Sequence, residues 1–198
     1  MIMDTPLSVL FYAFATLFII LDPLLSIPIF VGLTEGCRPE EKAQQAWLAV
    51  RVAGAILTVF LFFGLAIFDL LGISPASFKV AGGILLLILG LQVALGVELP
   101  HDLKAQQNIA GVLIGTPLLC GPGAITTITL LSTKCGIPIT AAALVLCLAV
   151  TWLILRYAAD IMRILGETVT DIMGKVLGMF LAAIAVRLIA EGVTGLAG

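Results

Sequence analysis

Apolar residues fill this chain in long runs, and the charged residues that interrupt them fall in clusters, so that the sequence divides into six apolar segments. These lie at about Pro6–Leu33, Ala43–Phe68, Ser77–Val97, Asn108–Thr133, Ile137–Tyr157 and Asp171–Ala197. Each has the roughly 20 residues that a helix needs to cross a bilayer core. The pattern predicts an all-α, polytopic membrane protein with six transmembrane helices, a single transmembrane domain over residues 1–198 with short loops. The first segment has Asp4 in front of it instead of basic residues, continues through Asp22 and two prolines, and shows no small-residue cleavage site. It is therefore expected to be a retained helix and not a signal peptide.

Two of the apolar runs carry prolines at matching places. Pro23-Leu-Leu-Ser-Ile-Pro28 returns 94 residues later as Pro117-Leu-Leu-Cys-Gly-Pro122. Proline has no N–H to donate four residues back, so the carbonyls of Ile19, Leu24, Leu113 and Leu118 are expected to lose their helical partners. In hydrocarbon such groups must be satisfied internally or line a watery cavity. The repeat extends further: Leu71-Gly72 matches Leu165-Gly166, and after a two-residue slip Lys79-Val80-x-Gly82 matches Lys175-Val176-x-Gly178. Repeat 1 covers about residues 1–97 and repeat 2 about 107–198. Three spans per half is an odd number, so the second half enters from the opposite face, giving a 3+3 inverted repeat with two Pro/Gly-broken helices. Such paired, interrupted segments are the sequence pointer to the substrate site of a secondary transporter.

Composition sharpens the class. With 61% of residues apolar and 11% charged, and a mean hydropathy of +1.22, an ordinary soluble domain is excluded. The loops reached by the first, third and fifth spans hold Arg38, Lys42, Arg51, Lys104, Arg156, Arg163 and Lys175, against Lys79, Lys134 and Arg187 on the other face. That bias places both termini outside the cytoplasm of a plasma (inner) membrane. No basic arm or patch points to nucleic acid, and no Walker A loop points to ATP. Cys37, Cys120, Cys135 and Cys147 lack metal-ligand spacing, so no metal or cofactor is expected.

The candidate chemistry gathers at the two breaks. Asp22 is the only formal charge between Asp4 and Glu35, and an ionisable group at such depth is costly enough to imply a function. Three roles are open to it: a proton carrier, a ligand for a substrate ammonium, or the N-cap of a half-helix beginning at Pro23. Ser26 adds a hydroxyl before Pro28. In the second half, Gly121-Pro122-Gly123 permits an unwound backbone close to a ligand, and Pro122 can open a helix whose N–H groups face an anion. Thr126 and Thr127 supply hydroxyls, while packing between helices is the structural alternative for the glycines. Lys79 and Lys175 are expected to snorkel to the headgroups, and Arg187 and Glu191, four apart, to pair. His101, the single histidine, lies in a polar loop with no nucleophile–base pair in view, so an enzyme is not expected.

These segments resemble the MarC family of integral membrane proteins, also called the neutral amino acid transporter family. Members read close to D-P-L-G-N-x-P-I-F, here Asp22-Pro-Leu-Leu-Ser-Ile-Pro28-Ile-Phe30, and close to P-L-L-A-G-P-G-A-I-T, here Pro117-Leu-Leu-Cys-Gly-Pro-Gly-Ala-Ile-Thr126. A third block, near F-x-I-A-G-G-I-L-L, corresponds to Phe78-Lys-Val-Ala-Gly-Gly-Ile-Leu-Leu86. The resemblance implies six transmembrane helices and transport of glycine and other small neutral amino acids. The chain departs at Leu25-Ser26, where members usually have Gly-Asn. The expectation is thus a secondary transporter of small neutral solutes, most specifically neutral amino acids, with a coupling proton as an option. Substrate-binding candidates are Asp22, Pro23, Ser26, Pro28, Gly121, Pro122, Gly123, Thr126 and Thr127. The alternatives are a non-transporting membrane scaffold or an intramembrane enzyme.

Overall fold

A computed structural model describes residues 5–24, 26–34, 36–95, 115–116, 119–165 and 167–197. Among these residues all regular structure is helical: α1 (Pro6–Leu21), α2 (Ser26–Leu33), α3 (Pro39–Leu71), α4 (Pro75–Leu95), α5 (Pro122–Lys134), α6 (Ile137–Arg156), α7 (Ala158–Leu165) and α8 (Glu167–Ala197). Four of these helices are long and apolar enough to cross a bilayer, and α1 with α2 makes a fifth if the bent pair counts as one span. The first half of the expected fourth span, from Asn108, falls mostly outside the described residues. The molecule is a polytopic helical membrane protein.

Local sequence sets the helix limits. Thr5 and Ser8 form a capping box ahead of Pro6, so the first exposed N–H groups of α1 have partners. At α3, Pro39 opens the helix, and the Glu41 carboxylate accepts the Arg38 backbone N–H at 2.9 Å and holds the Arg38 guanidinium. Gly72 ends α3 in the left-handed region at φ 62°, where a Cβ would be strained. α3 is 33 residues long, about 50 Å at 1.5 Å per residue. It therefore overshoots a bilayer core, whereas its stretch from Trp47 to Phe68 matches one.

Helix directions follow from the contacts between small residues. Gly90 of α4 lies against Gly178 and Ala182 of α8, Gly83 against Ala185 and Ile189, and Gly192 against Ala76 and Val80, so α4 and α8 run antiparallel along their lengths. Trp47 meets Trp152 and Gly54 meets Leu148, which makes α3 and α6 antiparallel as well. Gly115 packs on Ala49 and Val52, and Thr129 on Gly64, so the chain into α5 runs parallel to α3. Fully buried Leu17, Leu57, Ile128 and Leu155 join α1, α3, α5 and α6 in the main core.

Buried hydroxyls obey the same constraint. Thr34, Thr129, Thr140 and Thr151 each donate to the carbonyl four residues earlier, at 2.7, 2.9, 2.9 and 2.8 Å. No buried side-chain polar atom among the described residues lacks a partner. In a medium without water, returning the hydroxyl proton to the parent helix removes a cost of several kcal/mol per group, of order that for burying an unpaired hydroxyl.

Candidate functional site

The first break is a turn between two half-helices bent by 47°. Asp22 closes α1: it takes the left-handed conformation at φ 39°, ψ 64°, and its N–H donates to the Phe18 carbonyl at 3.1 Å. Asp22 is the one described non-glycine residue with positive φ, a conformation that Asp and Asn tolerate better than other side chains. This corrects the expectation of an N-cap before a helix starting at Pro23. Pro23 and Leu24 form the turn, and α2 begins at Ser26. The reason is that a left-handed residue ends a helix, and the next one restarts only after the chain has turned.

The two prolines cost less backbone bonding than their positions imply. Pro28 occupies the first turn of α2, where its missing N–H would have no helical acceptor in any case. The Leu24 carbonyl, expected to be left over, accepts the N–H of Ile27 at 3.2 Å. Ser26 is fully buried, and its Oγ donates to the Asp22 carbonyl at 3.3 Å. The hydroxyl thus fastens the start of α2 to the end of α1.

The second break is narrower than the glycines imply. Gly121 caps α5 in an extended conformation, φ −63°, ψ 169°, that any residue adopts, so no left-handed backbone is needed there. Pro122 is the first helical residue, and Gly123 lies within the first turn. From Pro122 to Lys134 the backbone is helical. Gly123 and Ala124 carry N–H groups with no carbonyl a turn earlier inside the helix. The Thr126 hydroxyl donates to the Pro122 and Gly123 carbonyls at 2.8 and 3.1 Å; its donor is used within its own helix. Pro117 lies outside the described residues.

The breaks meet. Asp22, Gly121 and Gly123 line one cavity of about 440 Å³, with Ile19, Ile20 and Leu21 of α1, Leu86 of α4, Ala124 of α5, and Leu181, Ile184, Arg187, Leu188 and Glu191 of α8. That volume lies within the ~300–1,000 Å³ usual for small-molecule sites. The walls are apolar. Charge is concentrated in Asp22 and in the pair of Arg187 with Glu191, joined at 2.9 Å. Interpolating between the contacts of Gly115 and Thr129 with α3 puts Gly121–Gly123 level with about Ile56–Thr58. This is the middle of α3 between Trp47 and Phe68.

The other candidates stand apart from that cavity. Thr126 lines a second one of about 180 Å³, with Phe68, Lys79, Thr129 and Glu191. Pro23 is buried in the turn, while Pro28 and Thr127 are half-buried on their helices. Glu191 borders both cavities. It accepts Arg187 Nε at 2.9 Å, as the four-residue spacing predicts, and Lys79 Nζ at 3.1 Å. Lys79 is therefore tied to α8. The bond joins residues 112 apart in sequence, so no local spacing could reveal it. Cys120 and Cys147 are buried, and no group of three metal-ligating side chains occurs among the described residues.

Two helix breaks bordering a cavity of small-molecule size, within an apolar bundle whose buried side-chain polar atoms all have partners among the described residues, define an integral membrane protein with a chamber between its breaks. The chain belongs to the MarC family: the model of the MarC family integral membrane protein matches residues 7–197. It is 37% identical to a UPF0056 membrane protein of Archaeoglobus fulgidus over 94% of this chain and 92% of that protein. It is 34% identical to UPF0056 membrane protein MJ1677 of Methanocaldococcus jannaschii, over 92% of this chain and 95% of that one. With UPF0056 membrane protein YvbG of Bacillus subtilis it shares 32% identity over 96% of each. No solved structure matches the chain.

Proposed function

We propose that this protein is a secondary transporter of small neutral amino acids such as glycine or alanine, built as a six-span, 3+3 inverted repeat in the plasma membrane with both termini extracytoplasmic. The observation that carries the reading is the shared cavity of Asp22, Gly121 and Gly123, one break from each half of the chain. Transporters of this architecture bind substrate near mid-depth, where discontinuous helices meet. A zwitterion suits the chamber chemically. The start of α5 favours a carboxylate, Asp22 favours an ammonium, and the apolar walls suit a short aliphatic side chain.

Helix directions support the inverted repeat. The helices that the sequence repeat makes equivalent, α4 with α8 and α3 with α6, are the pairs that pack antiparallel. Inversion of one half relative to the other requires that relation. Asp22 is our candidate for the coupling proton. We read the chain as a carrier and not an enzyme, since every role proposed for the chamber is one of binding.

Uptake of labelled glycine and alanine into liposomes containing the pure protein, with and without a pH gradient, tests the proposal. Saturable uptake above that of protein-free vesicles, increased by the gradient, is the expected result. Absence of flux for every small neutral amino acid would leave a membrane scaffold as the better reading.

A further inference from the structure

We propose that the end of the bundle marked by Trp47 and Trp152 is a binding site for an anionic phospholipid, whose phosphate is held by Arg51 and Arg156. The two tryptophans meet edge to face across α3 and α6, with ring centroids 6.1 Å apart and planes at 77°. Trp47 lies near the start of α3 and Trp152 near the end of α6. Because the helices are antiparallel, both rings fall at one end. Tryptophan concentrates at the headgroup level of a bilayer, and the length from Trp47 to Phe68 fits one hydrocarbon core.

Each ring is followed four residues later by arginine, in Trp47-Leu-Ala-Val-Arg51 and in Trp152-Leu-Ile-Leu-Arg156. Four residues keep ring and guanidinium on one face of their helix. Opposite helix directions put Arg51 one turn deeper than the rings and Arg156 one turn further out. Helical side chains lean toward the N-terminus of their own helix. Arg51 therefore leans outward and Arg156 inward, and both converge on the tryptophan layer. The Arg156 Cζ lies 6.0 Å from the centre of the Trp152 ring.

Both arginines are exposed. Neither forms an ion pair with a carboxylate among the described residues, whereas Arg38 has Glu41, and Lys79 and Arg187 have Glu191. A cation one turn inside the interfacial ring layer is costly unless an anion meets it. Two guanidinium forks at one depth match a phosphate diester, which accepts paired N–H bonds. The acyl chains would lie on the exposed apolar flank of α6, at Leu153. Basic pockets between spanning helices are known to select acidic headgroups.

Native mass spectrometry and thermal melting of the detergent-solubilised full chain test the site, with phosphatidylglycerol, phosphatidylcholine and soluble glycerol phosphate added in turn. The intact protein should retain phosphatidylglycerol and melt higher with it than with phosphatidylcholine at equal concentration. Joint Arg51→Gln and Arg156→Gln substitution should reduce that preference about tenfold or more, as loss of charged hydrogen bonds implies. Arg38→Gln, which alters an arginine already paired, should preserve it. If the double variant does not purify as a folded species, Arg156→Gln alone, exposed at a helix end, carries the same comparison with a smaller loss. Equal stabilisation by phosphatidylcholine, an undiminished preference in the variants, or equal protection by soluble glycerol phosphate would each overturn the assignment.

Discussion

Asp22 combines two properties that one substitution can separate. Its backbone is left-handed at φ 39°, and the residue lines the chamber. Asparagine tolerates that conformation nearly as well, so Asp22→Asn should fold normally. If the carboxylate carries a proton, gradient-driven accumulation in liposomes should vanish while exchange of solute persists. Unchanged accumulation would confine Asp22 to ending α1. Asp22→Ala should instead lower stability by about 1–2 kcal/mol, the cost of a left-handed alanine. Gly123 offers a complementary test. A Cβ there would sit 3.6 Å from Ile20 Cγ2 and Leu188 Cδ2, ordinary contact distance, and both residues line the chamber. Gly123→Ala should leave the melting temperature unchanged, or raise stability by up to about 1 kcal/mol through helix propensity, while weakening solute binding. Undiminished affinity would place the solute away from this wall. The sequence marks both glycines as special without saying why: glycine permits many conformations, and only the backbone shows Gly121 extended and Gly123 helical.

Among the elements, close helix packing rests on glycines with no room to spare. A Cβ on Gly90 would come within 2.7 Å of the Ala182 nitrogen and 3.0 Å of the Gly178 carbonyl, which are backbone atoms and cannot swing aside. Gly90→Ala and Gly178→Ala should therefore each cost about 1–3 kcal/mol as overpacking, read as a lower melting temperature. Gly32→Ala should cost nothing of that kind, since nothing lies within 4 Å of the added carbon. At the α3–α5 contact, a Cβ on Gly64 would collide with the Thr129 side chain. Pairing Gly64→Ala with Thr129→Ala should recover part of the loss, a coupling that a double-mutant cycle measures. The proline pairs and the apolar runs made the bend and the long helices legible in the sequence. α7 was also written there, in Ala158, Ile161, Met162 and Leu165 at helical spacing, but its charges read as loop between two spans. The Lys79–Glu191 bridge was not legible, because it depends on how α4 lies against α8.

Across the whole molecule, charge and aromatic residues agree on two ends. Trp47, Trp152, Arg51 and Arg156 gather where α3 begins and α6 finishes, and the exposed Arg38 precedes the same end of α3. Lys79 and Glu191 border the cavity that also contains Phe68, toward the opposite end of α3. Arg51 and Arg156, which the loop charges assign to one face, lie at one end of the α3–α6 pair, and Lys79, assigned to the other face, lies toward the opposite end. If the face with the excess of lysine and arginine is cytoplasmic, the Trp47–Trp152 end faces inward, and an even number of spans carries both termini outward. Reporters active on only one side of the membrane, fused at Gly198 and inserted between Arg38 and Lys42, test this directly. The loop fusion should be active in the cytoplasm and the terminal fusion outside it. The same experiment bears on the lipid site, because acidic phospholipid is concentrated in the cytoplasmic leaflet. Cytoplasmic activity at Gly198 with none at the loop would invert the molecule. Activity on opposite sides is also what six spans require, since five crossings separate the loop from Gly198; fusions that report the same side would mean an even number of crossings after Lys42 and overturn the six-span topology.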